Sequence, residues 1–117
     1  DCSGLVQSAF ASSGIWIPRD AYQQEKFCKN IALDIKALGK ELKPGDLLFF
    51  GSSEKCTHVG LHIDNGFYIH SSGVNDGHNG IEIDGLFQLK PGKISSHYRS
   101  KFRSAGRVIS CYQSEKL

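Results

Sequence analysis

The chain has 117 residues, enough for one domain that buries roughly two-thirds of the surface its unfolded form exposes. Hydrophobic residues make up 39% of it and charged residues 22%, which excludes a disordered chain. A net charge of +2 is too small and too dispersed for a nucleic-acid surface, no apolar run approaches a membrane span, and nothing resembles a signal peptide.

Leu5, Val6, Ala9 and Phe10 recur at helical spacing and Gly14 supplies a stop, so Cys2 lies at or just before the first turn of a helix. "IWIPRD" follows as an extended segment because Pro18 biases Ile17 away from helical geometry. "AYQQEKF" reads as a short helix, with Asp20 as its N-cap. Residues 28–42 fit a helix and irregular chain equally well. "KPGD" (Lys43 to Asp46) is a turn that Asp46 fixes, and it delivers "LLFFG", a continuous apolar run typical of a buried strand. Three more strand-like runs follow, "THVGLHID", "GFYIHSS" and "GIEIDGL". The basic cluster "HYRSKFR" is interrupted by Tyr98 and Phe102 and reads as a short amphipathic helix, followed by a last strand, "GRVISCY". A helix followed by an antiparallel sheet is an α+β pattern.

The four cysteines have irregular spacings and no C-x-x-C pair, so free thiols are expected, one of them reactive. Cys2 is that one. A helix N-terminus carries partial positive charge and lowers the pKa of a nearby thiol, and the thiolate is the nucleophile. Cys28, Cys56 and Cys111 read as structural. Cys56, two residues before His58 and on its strand face, is the thiol best placed to add a metal ligand.

The densest chemistry lies in "HVGLHIDNGFYIH". Side chains alternate faces along a strand, so His58, Gly60 and His62 share one face while Val59, Leu61 and Ile63 take the other. A three-residue loop, Asp64 to Gly66, sets Ile63 against Phe67 and keeps the apolar residues together. It also sets His70 opposite Gly60, diagonal to His58 and His62, and Gly60 leaves room for imidazoles. Two chemistries fit this cluster. One histidine takes the proton from Cys2 while a second holds it in the right tautomer, or His58, His62 and His70 bind zinc with an open site for water. Spacing does not separate them, nor say whether His58 or His62 is the base.

"DCSGLV", "GDLLFF" and "HVGLHIDNGFYIH", in that order, resemble the NlpC and p-sixty family of cell-wall cysteine peptidases, over Asp1 to about Val108. The resemblance implies a papain-like α+β fold in which the N-terminal helix carries the nucleophile and packs on an antiparallel sheet. It implies Cys2 as nucleophile, His58 as base and His70 as third polar residue, with His62 a bystander and no metal or cofactor. The implied substrates are peptidoglycan stem peptides or muropeptides, cut between γ-D-glutamate and a diamino acid. "IPRDAYQQ" resembles the dipeptidyl-peptidase-VI-like subgroup, which carries bacterial Src-homology-three-type domains upstream. There Asp20, with Asp1 and Ser3, helps receive the substrate's free amine.

The resemblance further implies that residues 1–117 form a single peptidase domain, the C-terminal part of a longer exported protein of the periplasm or cell envelope. The oxyanion-hole tyrosine that the family places upstream of the cysteine has no counterpart in these residues. Of the remaining residues, Trp16 reads as core rather than cleft, and "SSGVNDGHNG" (Ser71 to Gly80) as a loop bordering the cleft. A zinc hydrolase and a non-catalytic wall-binding domain on the same fold are the rival readings.

Overall fold

Leu47–Gly51 is buried along nearly its whole length because it lies inside a sheet covered on both faces. The structure, a computed structural model, describes residues 1–34, 39–73, 78–88 and 92–113. In chain order its elements are α1 (Cys2–Ala11), α2 (Ala21–Phe27), β1 (Lys29–Ile31), β2 (Leu47–Gly51), β3 (Cys56–Asp64), β4 (Phe67–Ser72), β5 (Gly80–Gly85), α3 (Lys93–Ser100) and β6 (Phe102–Arg107). The strands form one six-stranded antiparallel sheet in the order β1-β6-β2-β3-β4-β5. Helix α1 packs against β3 and β4, which is the α+β arrangement expected.

The two faces of β2 define two cores. Leu47 and Phe49 pack with Val6, Ile17, Ala21, Cys56 and Val59 on the α1 side. Leu48 and Phe50 point the other way and pack with Tyr68, Leu86, Tyr98 and Ala105. Asp46 does more than fix the turn before β2. Its Oδ2 accepts the Lys43 N–H at 2.7 Å, and the buried carboxylate takes a two-pronged contact from Arg107, both bonds at 2.8 Å. That fork ties the start of β2 to the end of β6.

Three segments differ from the sequence expectation. The last helix spans Lys93–Ser100 rather than His97 to Phe102, and the last strand is Phe102–Arg107 rather than "GRVISCY". "FRSAGR" has little intrinsic strand preference. It is a strand because it pairs with β1 and β2, and because Gly106 admits a close approach: a Cβ there would lie 2.5 Å from Cys28 Cβ. Within residues 28–42, Lys29–Ile31 form a strand, while 35–38 lie outside the described residues. In Ser71 to Gly80, residues 74–77 do as well.

Along the hairpin, Leu61 faces Ile69 and His62 faces Tyr68, the register that sets His70 level with Gly60. The turn differs from the expected three-residue loop. Asp64 pairs with Phe67, Asn65 and Gly66 form a two-residue turn with φ of 52° and 80°, and Ile63 is absorbed as a bulge. The space above Gly60 holds the Tyr68 ring rather than imidazoles, since a Cβ on Gly60 would come within 2.6 Å of Tyr68 Cδ2. Gly60→Ala is therefore expected to destabilise the fold by about 1–3 kcal/mol through overpacking, read as a lower urea midpoint at unchanged slope. A loss below about 0.5 kcal/mol would mean that the Tyr68 ring moves aside freely.

Candidate active site

The start of α1 is tied down from three directions. Asp1 is the N-cap, its Oδ1 accepting the Gly4 N–H at 2.6 Å, and Leu5 N–H bonds the Asp1 carbonyl. Arg19 donates to Asp1 Oδ2 at 2.8 Å and to Ser3 Oγ at 3.0 Å. Gln24, fully buried, donates to the Ser3 and Pro18 carbonyls at 3.1 and 2.9 Å, joining α1 to the segment before α2. Cys2 is thus the first residue of a rigidly held helix, half-buried against the α1-side core. Its own N–H and that of Ser3 precede the helix ladder, where the positive end of the dipole lies.

On the other face of the sheet the histidines form a chain. His58 Nε2 lies 2.7 Å from His70 Nδ1, and His70 Nε2 lies 2.7 Å from Asp84 Oδ2. The same Asp84 oxygen is 2.9 Å from His78 Nε2, and Asp84 Oδ1 accepts the Ser95 hydroxyl at 2.9 Å. Tyr98 stacks on His58 at 4.4 Å between ring centroids and meets His70 edge-on at 4.9 Å, fixing both ring planes. Burial pushes the Asp84 carboxyl up, but hydrogen bonds from His70, Ser95 and His78 outweigh it and hold the pKa below the usual value. Burial likewise keeps His70 below its ordinary range against the pull of Asp84. Burial, then the neighbouring His70 and His97, lower His58 to about 3.

Protonation states follow from these directions. An ionised Asp84 only accepts, so His70 donates through Nε2–H. Neutral His70 then has its lone pair on Nδ1 and accepts from His58 Nε2–H. The remaining lone pair of His58 sits on Nδ1, which has no hydrogen-bond partner among the described residues.

The structure therefore joins His58 and His70 directly. Cys2 lies in the α1 layer, and among the described residues no hydrogen bond links it to His58. Asp1 and Ser3 meet through Arg19. Asp20 is the N-cap of α2, in a capping box with Gln23. His62 stands apart: its Nδ1 donates to the Lys43 carbonyl at 2.9 Å and its Nε2 accepts the Gly66 N–H at 3.0 Å. With both nitrogens used to clasp two turns, it does not join His58 and His70. Among the described residues no three His, Cys, Asp or Glu side chains are grouped to hold a metal ion.

Two further expectations are corrected. Cys56 does not share the face of His58. The register shifts between Phe50↔His58 and Gly51↔Cys56, so the bulge turns Cys56 into the α1-side core. Trp16 is not core. It is 58% exposed and lines an apolar groove with Ile17, Pro18 and Tyr112, because its backbone pairs with the Cys111 thiol and the Tyr112 N–H. All four cysteines are free thiols, and burial raises Cys28 to about 12 and Cys56 to about 11. Both are poor nucleophiles for that reason.

Sequence reasoning missed Arg19, Gln24, His78, Asp84, Ser95 and Tyr98. Asp84 left one trace, since "GIEIDGL" alternates and so places Asp84 opposite the face of Ile81 and Ile83. The pairing Tyr68↔Asp84, which brings it to His70, spans a loop whose length sets no register.

This architecture, with a cysteine on the first turn of a helix packed over an antiparallel sheet that carries paired histidines, defines a papain-like fold. The chain belongs to the NlpC/P60 family, which residues 1–103 match. It is 38% identical over 111 residues to the bifunctional muramidase/DL-endopeptidase CwlT of Bacillus subtilis (strain 168), covering 92% of this chain and 28% of that protein. It is 43% identical over 74 residues to the gamma-D-glutamyl-L-lysine dipeptidyl-peptidase of the same organism, covering 61% of this chain and 23% of the relative. The crystal structure of an NlpC/P60 family protein from Bacillus cereus superposes with a TM-score of 0.70 at 31% identity, over 93% of this chain and 32% of that one. The chain thus spans about a third or less of the length of these relatives.

The buried histidines carry a pH signature. Folded His58 and His70 titrate below the ordinary 6.5, so below that pH the unfolded chain binds more protons than the folded one. Their contribution to stability is complete above about 6.5 and falls as pH drops below it; that of His58 is lost progressively down to about 3, at up to about 1.4 kcal/mol per pH unit. Urea unfolding across this window should show that slope, and His58→Gln should flatten it. An equal slope in wild type and variant would contradict a neutral, buried His58.

Proposed function

We propose that this domain is a cysteine endopeptidase of peptidoglycan stem peptides, cutting the bond between γ-D-glutamate and the following diamino acid. The observation that carries the reading is the buried His58–His70 pair, which leaves a lone pair on His58 Nδ1. Family membership and the placing of Cys2 at a helix N-terminus support it. The γ-D-glutamyl preference draws on the name of one relative.

This mechanism requires Cys2 to approach His58 past the edge of the sheet that separates them here. His58 Nδ1 takes the Cys2 proton, and the thiolate, steadied by the helix N-terminus, attacks the γ-carbonyl carbon. The Cys2 backbone N–H helps hold the oxyanion. The C–N bond breaks as His58 returns the proton to the leaving amine, and a water activated by the same ring then cleaves the thioester. His70 keeps His58 oriented. Asp1 and Ser3, linked through Arg19, flank the nucleophile, and with Asp20 they form the side that receives the substrate's free amine. The protein acts on the cell wall, outside the cytoplasm. No helix among the described residues is long and apolar enough to cross a membrane.

The test is incubation with L-Ala-γ-D-Glu-diaminopimelate, read by mass spectrometry. Release of L-Ala-γ-D-Glu is expected to survive a metal chelator and to disappear in Cys2→Ala, while that variant keeps the wild-type urea midpoint. Cleavage lost to chelator would turn the reading to metal hydrolysis, and no cleavage by wild type would favour a wall-binding role. A Cys2→Ala variant that unfolds would return Cys2 to the core.

A further inference from the structure

The geometry points to Asp84 as a positioning residue for this chemistry: through His70, its carboxylate sets which nitrogen of His58 carries the proton and therefore which one is free to act as base. The inference rests on the reading of Cys2 and His58 as nucleophile and base.

Asp84 sits on β5 with its side chain only 8% exposed, and no Lys or Arg contacts it among the described residues. Three donors converge on it instead: His70 Nε2–H, His78 Nε2–H and the Ser95 hydroxyl. A carboxylate can only accept, so each of these contacts has one polarity. The polarity passes along the chain. Because His70 must donate at Nε2, it must accept at Nδ1, and His58 must donate at Nε2 and present its lone pair at Nδ1. The Nδ1 tautomer of His58 would instead offer the thiol an N–H and leave it without a base. A side chain that could itself donate to His70 Nε2 would allow the whole chain to reverse.

Asp84 also ties β5 to α3, because Ser95 bonds both its carboxylate and the Gly85 N–H. A merely structural role would rest on that link, so the test separates the two. In the protein labelled with nitrogen-15 at histidine, His58 and His70 are expected to carry their protons on Nε2. Asp84→Asn keeps the shape but places an NH2 group where only an acceptor stood. It is expected to convert both rings in part to the Nδ1–H form and to lower kcat by about 100-fold, with KM changed less than about threefold.

Ser95→Ala removes the tie to α3 and keeps the carboxylate. It is expected to lower the urea midpoint and leave both tautomers as in wild type. A wild-type His70 with its proton on Nδ1 overturns the proposal even if Asp84→Asn fails to fold. So does an Asp84→Asn protein with unchanged tautomers or kcat within about threefold of wild type, or a Ser95→Ala protein whose tautomers flip. The underlying reading fails separately: if His58→Gln leaves the rate of Cys2 alkylation by iodoacetamide unchanged, His58 is not the base, whatever the tautomers show.

Discussion

An ionised carboxylate inside a protein must be supplied with donors, and the way Asp84 is supplied organises one whole side of this fold. Leaving such a charge unpaired would cost several kcal/mol. Here a serine on α3, a histidine on β4 and a histidine just before β5 converge on two oxygens. Satisfying it fixes where α3 docks, and α3 in turn brings Tyr98 against the His58 ring. The second core therefore combines apolar packing of Leu48, Phe50 and Ala105 with a directed polar network, and each constrains the other.

The first core is simpler. Val6, Ile17, Phe49 and Val59 hold α1 on the sheet, and the polar groups are gathered at its first turn. Arg19 and Gln24 reach back from the next segment to Asp1 and Ser3, so the helix start is anchored by chain that follows it. The half-buried thiol is held from both ends, with packing behind it and fixed backbone around it. The sheet between the cores sets where Cys2 stands relative to His58, through strands anchored by the Asp46–Arg107 fork.

How much of this could be read beforehand depended on the range of each signal. Local signals served well. The helix beginning at Cys2, the short helix "AYQQEKF", the buried strand "LLFFG" and the register of His70 against Gly60 follow from spacing within a dozen residues. The bulges did not, because alternation tells which face a residue takes only until the count slips. One bulge turned Cys56 to the other core, and another shortened the turn to Asn65-Gly66. "FRSAGR" could not be read as a strand, because its partner β2 lies some fifty residues away and supplies the reason for its shape. Asp84 and Ser95 were illegible for the same cause. A buried carboxylate on β5 and a serine on α3 look ordinary until the fold brings them to His70.

The outer strand β5 has a bearing on how the domain behaves in company. It ends the sheet, so among the described residues its far edge presents unpaired backbone groups, and Ile81 and Ile83 are more than half exposed on one face. Such an edge is a template for any extended chain that meets it. Asp84 is committed inward, which leaves Glu82 as the one exposed charge on the strand. Protection of the β5 edge against pairing with another chain thus rests on a single exposed carboxylate, because the histidine network has already claimed Asp84.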